Sequence, residues 1–189
     1  MFLSLQPWLC RKRLAELQVL FTDVDGVLTN GSLFYGAQGE ELKPFHVRDG
    51  AGIKMLQAVN IHVVMISGRD SPALKARAKD LAIHGSHFGV TDKREACARA
   101  LGALGIQSRY CAFVGDDSID LPAFEACGLA VTVADAPRYI RKRADLVLSK
   151  TGGNGAIREL TDLILEAKGC ASMYQTHDGY INKLTKMGQ

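Results

Sequence analysis

No apolar run in this 189-residue chain is long enough to cross a membrane, and the apolar opening, residues 1–9, precedes its positive charges instead of following them. The expectation is a cytoplasmic protein without a membrane segment or secretory leader. Cysteine is sparse and unpatterned. Cys10, Cys97, Cys111, Cys127 and Cys170 are odd in number, widely spaced and free of any CxxC pair. A disulfide framework, a zinc ribbon and a dithiol redox site are therefore disfavoured, and reduced thiols are expected. No HxxxH or HExxH pattern offers zinc a site, and the absence of GxSxG leaves a serine hydrolase unsupported. Charge of one sign is not in large excess either. A net charge of +3 with a pI near 8.6 is too weak to argue for nucleic acid. The basic runs at 11–13 and 138–143 read as solvated surface, the first lacking interleaved stacking aromatics and the second lying beside a predicted strand. Internal repeats and low-complexity segments are also missing.

What remains is ordinary globular composition, 47% hydrophobic and 23% charged, in a length that suits one domain over residues 1–189. Residues 1–17 read as an amphipathic lead-in that sets Trp8, Leu9, Leu14 and Leu17 against the core. A buried strand follows from Val19 to about Thr22. Residues 31–47 alternate apolar and polar positions around Gly36 and Gly39, which predicts a β-hairpin standing over the end of that strand as a flap or an oligomer contact. Beyond it, helical and strand patterns alternate. Helices are expected over 50–59, 72–81, 91–104, 118–126, 137–143 and 155–168, and strands over 61–67, 83–88, from Tyr110, over 129–135 and over 145–148. Such alternation implies βαβ units, an α/β fold with helices on both faces of a parallel sheet. Residues 169–189 read as a tail, although Met173, Tyr174, Tyr180, Ile181 and Leu184 are apolar enough for it to dock.

The chemistry concentrates where strands end. VLFTDVDGVLTNG, residues 19–31, closes its strand with Asp23 and Asp25, which the strand period of two places on the same side, and Gly26 permits a tight turn. Ser67 ends a second strand, and Gly68 after it lets backbone N–H groups approach an anion. Lys93 follows a third, and Asp116, Asp117 and Asp120 follow a fourth. In a parallel sheet most of these meet at one carboxyl edge, where open α/β sheets bind ligands. A hard divalent cation would offset the clustered carboxylates, and Mg²⁺ favours such sites. Each residue also has a plain reading. The DxDG turn needs no chemistry of its own, Ser67 and Asp117 are possible helix caps, Asp120 can simply orient its neighbours, and a lysine is usually solvated. Arg48, on the segment His46–Gly50, is the candidate for binding a substrate carboxylate bidentately, with pairing to Asp49 as the alternative.

These residues resemble the phosphatases of the haloacid dehalogenase superfamily, which carry hhhhDxDGhhT, a strand-end Ser or Thr, a Lys, and GDDxxD in this order. Asp23 to Thr29, Ser67, Lys93 and Gly115 to Asp120 fill all four. Further stretches, FHVRDGAGIKML (45–56), SGRDSP (67–72), GDDSIDLPAF (115–124), VADAP (133–137) and GGNGAIREL (152–160), are similar to the branch that dephosphorylates eight-carbon 3-deoxy sugar acids for lipopolysaccharide precursors. Two positions depart from that pattern, Asn30 where an Asp is common and Asn154 where a basic residue is common. The resemblance implies a Rossmann-like core without a large cap domain and a homotetramer whose neighbouring subunits complete each site. It also implies an Mg²⁺-dependent reaction in which Asp23 is the nucleophile and Asp25 the acid/base. Asp23, Asp116 and the Asp25 backbone carbonyl would hold the metal, Ser67 and Lys93 the phosphate, with Gly68, Asp117 and Asp120 in support. Rival expectations are a nine-carbon sugar acid phosphate as substrate, a phosphoreceiver domain and a non-catalytic tetramerisation module.

Overall fold

The computed structural model describes residues 6–37 and 39–179. Its centre is β1, Val19–Thr22, whose four residues are all buried. A strand covered on both faces has no use for polar alternation, which is why VLFT reads as one apolar run. Around it the chain builds a parallel sheet in the order β5-β4-β1-β6-β7-β8, from β4 (His62–Ile66), β5 (Gly85–His87), β6 (Cys111–Gly115), β7 (Leu129–Thr132) and β8 (Leu146–Val147). From β1 the chain steps outward to β4 and β5 on one side, then crosses back to β6 on the other. Strand order therefore reverses at β1, and the crevice beyond its carboxyl end is the topological switch point.

Helices cover this sheet in groups that the sequence pattern explains. The longest apolar stripe belongs to α7 (Ala156–Ala167), where Ile157, Leu160, Ile164 and Leu165 are buried at helical spacing. It packs against α2 (Val47–Ala58) and α1 (Gln6–Glu16). A Cβ at Gly52 would lie 2.7 Å from Thr161 Oγ1 and 3.3 Å from the Arg158 backbone, so the glycine lets α2 and α7 approach closely. Elsewhere α4 (Lys93–Leu104) packs against α5 (Leu121–Ala126), burying Ala96, Cys97, Ala100 and Leu101. Asp92 caps α4 by accepting from the backbone of Arg94 and Glu95. Shorter helices lie at α3 (Pro72–Asp80), α6 (Arg138–Arg141) and α8 (Ser172–Gln175).

The expected hairpin is present as β2 (Phe34–Gly36) paired antiparallel with β3 (Gly39–Leu42). Several expectations need correction. Leu14 and Leu17 enter the core, but Trp8 and Leu9 are 70% and 68% exposed, because a helix that docks through Cys10 and Leu14, with Leu17 just past its end, turns them outward. Helix α2 starts at Val47, not Gly50, since the His46 imidazole accepts from the Arg48 N–H at 3.2 Å and caps it. The stretch after residue 169 is not wholly a tail: α8 forms within it, and the Tyr174 hydroxyl donates to the Met55 carbonyl at 3.2 Å, fastening it to α2. The remainder of the expected tail, from Tyr180 onward, lies outside the described residues.

Candidate active site

Strand β1 stops at Thr22, and the Asp23 N–H continues its ladder by donating to the Val114 carbonyl at 2.9 Å. The turn then delivers Asp25 beyond the strand, so the two acids take different partners instead of sharing one. Asp23 faces β6. Its Oδ1 lies 2.8 Å from Lys93 Nζ, and Lys93 also reaches Asp120 Oδ1 at 2.6 Å. The lysine side chain is 1% exposed, and it opens α4 instead of ending β5, so the helix start carries it down into the crevice. Burial works against its charge, but the carboxylates of Asp23 and Asp120 outweigh that and push its pKa up.

One carboxylate oxygen from each of Asp23, Asp116 and Asp120 falls within 4.8 Å of the others. Asp120 is already committed. Its Oδ1 takes Lys93, while its Oδ2 accepts from the backbone N–H groups of Asp116 and Asp117 at 2.8 and 3.2 Å. It therefore orients the loop, as the plain reading of Asp120 had it, and Asp23 and Asp116 are left to meet a cation. Both are pushed up to about 7, first by burial and then by the negative charges around them. Gly26, at φ +89°, forms the wall beside them, and a Cβ there would run into the Asp116 carboxylate. An all-oxygen donor set, strained by its own charge and walled by glycine, fits a hard divalent cation such as Mg²⁺.

Ser67 is buried just past β4, and its Oγ accepts from the Arg69 N–H at 3.1 Å, leaving its own proton to donate. It is not a helix cap, because α3 begins at Pro72. Gly68 is exposed beside it, with a Cβ position in ordinary contact with Val90 and Ile119. Asp117 is a cap, as its plain reading had it. It caps the 3₁₀ turn 118–120 through the Ser118 N–H and accepts from the Tyr139 hydroxyl at 2.9 Å, which together hold its pKa down. Arg48 does not pair with Asp49. The Asp49 carboxylate turns inward to accept from the N–H groups of Gly155 and Arg158 at 3.2 and 2.8 Å. That leaves Arg48 exposed, beside a groove of about 420 Å³ that it lines with His46, Lys150, Asn154 and Arg158.

Sequence reasoning missed three charged residues at the crevice. Lys43 pairs with Asp25 Oδ1 and Glu40 Oε1, and Arg69 lies 3.9 Å from Asp25 Oδ2. The available signal was local: charges three apart on a hairpin predicted to overhang the acids, and an arginine two residues past Ser67.

A parallel sheet with two acids on the central strand's turn, a buried lysine and a facing acid pair defines a haloacid dehalogenase-type hydrolase site, and residues 88–160 match the family model described as haloacid dehalogenase-like hydrolase. The chain is 48% identical over 95% of its length to the 3-deoxy-D-manno-octulosonate 8-phosphate phosphatase KdsC of Haemophilus influenzae, covering 99% of that protein. The cobalt-bound structure of the deoxy-D-mannose-octulosonate 8-phosphate phosphatase YrbI of Haemophilus influenzae superposes with a TM-score of 0.88, over 89% of this chain and 99% of that one, at 48% identity. The Moraxella catarrhalis phosphatase, solved with magnesium, phosphate and KDO, has a TM-score of 0.84 at 35% identity, over 87% of this chain and 95% of that one. The chain belongs to the 3-deoxy-D-manno-octulosonate 8-phosphate phosphatase family of these hydrolases.

Proposed function

We propose that this chain is an Mg²⁺-dependent phosphatase that hydrolyses 3-deoxy-D-manno-octulosonate 8-phosphate to the free sugar acid and phosphate, supplying lipopolysaccharide precursor synthesis. The observation that carries the reading is the convergence of Asp23 and Asp116 with buried Lys93 beside the Gly26 wall. Identity of 48% to a relative with that named substrate supports the choice of sugar. Asp23 is the nucleophile. Its carboxylate attacks phosphorus, the bond to the sugar oxygen breaks, and an aspartyl phosphate forms, which divides one displacement into two. Asp25 gives a proton to the departing oxygen and then takes one from the water that cleaves the intermediate. Asp23, Asp116 and the Asp25 carbonyl would hold Mg²⁺, which when bound offsets charge on the phosphate. Lys93 and Ser67 bind phosphate oxygens, with Gly68 leaving room for backbone donors, and Asp120 and Asp117 fix the loop that carries Asp116.

Substrate selection falls to Arg48 for the sugar carboxylate, as a homotetramer in which a neighbouring subunit completes each site. The layout is a single domain, with the hairpin of β2 and β3 as flap and the stretch after residue 169 docked through α8 and Tyr174. Among the described residues no helix is long and apolar enough to cross a membrane; the enzyme would act in the cytoplasm. The test is phosphate release from the eight-carbon substrate with Mg²⁺ and with EDTA, beside a nine-carbon analogue and simple sugar phosphates. Metal-dependent preference for the octulosonate is expected. Preference for the nine-carbon compound would move the substrate, and no release from any would end the phosphatase reading.

A further inference from the structure

Asp25 sits in a closed ring of alternating charge that the scheme above leaves without a role. Its Oδ1 pairs with Lys43 Nζ, which lies 3.3 Å from Glu40 Oε1; Glu40 Oε2 is 3.8 Å from Arg69 Nη1, and Arg69 Nε returns to Asp25 Oδ2 at 3.9 Å. The two cations differ in kind. The Lys43 side chain is fully buried, whereas that of Arg69 is 45% exposed. A buried ammonium persists only with charged partners, and those of Lys43 among the described residues are Asp25 and Glu40. Arg69 reaches Asp25 and Glu40 beyond hydrogen-bond length and in contact with solvent, so its hold is loose.

This asymmetry divides the work of the Asp25 carboxyl. Oδ1 is tied down, while among the described residues Oδ2 meets only the distant Arg69 and stays available for a proton. The terminal torsion of an Asp is soft, so an unanchored carboxyl would sweep its oxygens across the crevice. An acid/base group must hold one oxygen within hydrogen-bond reach of the reacting atom. A lysine suits this task, because its point charge secures a single oxygen where an arginine fork would engage both.

The geometry points to Lys43 as the positioning residue of Asp25. From the end of β3 it clamps Oδ1 so that Oδ2 carries the transferred proton, and Glu40 holds Lys43 in place. When the phosphorus–oxygen bond breaks, the bonding pair stays with the sugar oxygen, the proton on Oδ2 joins it, and the phosphoryl group passes to Asp23. This inference rests on the phosphatase reading and extends it by making the hairpin part of the proton-transfer step.

The test separates proton-dependent from proton-independent leaving groups. Wild type, Lys43→Met/Glu40→Gln and Lys43→Gln are compared on the sugar phosphate, whose alkoxide needs a proton, and in the pre-steady-state burst from p-nitrophenyl phosphate, whose phenolate does not. The double variant removes both ring charges so that none is left buried alone. It should lose about a hundredfold in kcat on the sugar phosphate, the scale of lost acid catalysis, with the burst rate and KM within about threefold of wild type. Lys43→Gln keeps one hydrogen-bond donor and should fall between them. Equal losses on both substrates, a change confined to KM, or full retention on the sugar phosphate would overturn the role of Lys43 while leaving the phosphatase reading standing. A wild type with no Mg²⁺-dependent turnover of either compound would sink both.

Discussion

Asp23 and Asp116 titrate at about 7 instead of 3.8 because burial strips their water and the nearby acids repel them. A carboxyl whose folded pKa is raised contributes stability that is fully present below its unfolded pKa and lost as pH rises through the folded value. In metal-free protein, the share of stability from this pair should therefore decline between about pH 4 and pH 7. A bound divalent cation offsets the same repulsion. Scanning calorimetry should show a larger rise in Tm on Mg²⁺ addition at about pH 8 than at about pH 5, where the carboxyls are largely protonated. Asp23→Asn should shrink that difference and abolish turnover without unfolding the chain. Equal Mg²⁺ effects at the two pH values would argue that the cation binds elsewhere.

Helix α7 begins at Gly155 without a side-chain cap of its own, and its first N–H groups are satisfied across the fold by Asp49 of α2. The cap matters to the site as well as to the helix. The loop leading into α7 presses Gly152 and Gly153 onto the turn Gly26–Thr29, and the Gly153 N–H donates to the Val27 carbonyl at 2.9 Å. Asp49→Ala should cost about 1–2 kcal/mol in urea unfolding, the usual loss for a removed N-cap, and Asp49→Asn less because one acceptor remains. A smaller Mg²⁺ effect on Tm in the alanine variant would show the strain reaching the acids. An alanine variant as stable as wild type would mean that water replaces the cap.

At the scale of the whole molecule, half of the large apolar side chains left exposed among the described residues lie on the hairpin and its exit, the others being Trp8, Leu9, Ile119 and Tyr139. Phe34, Tyr35, Leu42 and Val47 are 49%, 65%, 66% and 78% exposed, and Phe34 and Leu42 face each other across the strand pair. The described residues of a single copy leave them uncovered, and such patches mark contacts with other chains. If the hairpins join a homotetramer, Phe34→Asp/Leu42→Asp should sediment as smaller species than wild type and lose turnover more than stability. Sedimentation identical to wild type would remove the hairpin from the interface.

Pattern alone determined the alternation of strand and helix, the apolar centre at Val19–Thr22, the hairpin and the four motif positions, because side-chain periodicity, glycine turns and strand-end polar residues are local properties. It also singled out Asp23, Asp116 and Lys93 before any contact was known. Partners were a different matter. Asp120 holds Lys93 while Asp117 caps a turn, Asp49 caps a helix 106 residues away instead of pairing with Arg48, and Asp25 answers to Lys43 on the hairpin. Helix α1 likewise chose which apolar residues to bury only when it docked, leaving Trp8 outside. Hydrogen-bond and charge partners depend on distances across the sheet order and on rotations of packed helices, and these exist only once the tertiary structure has closed.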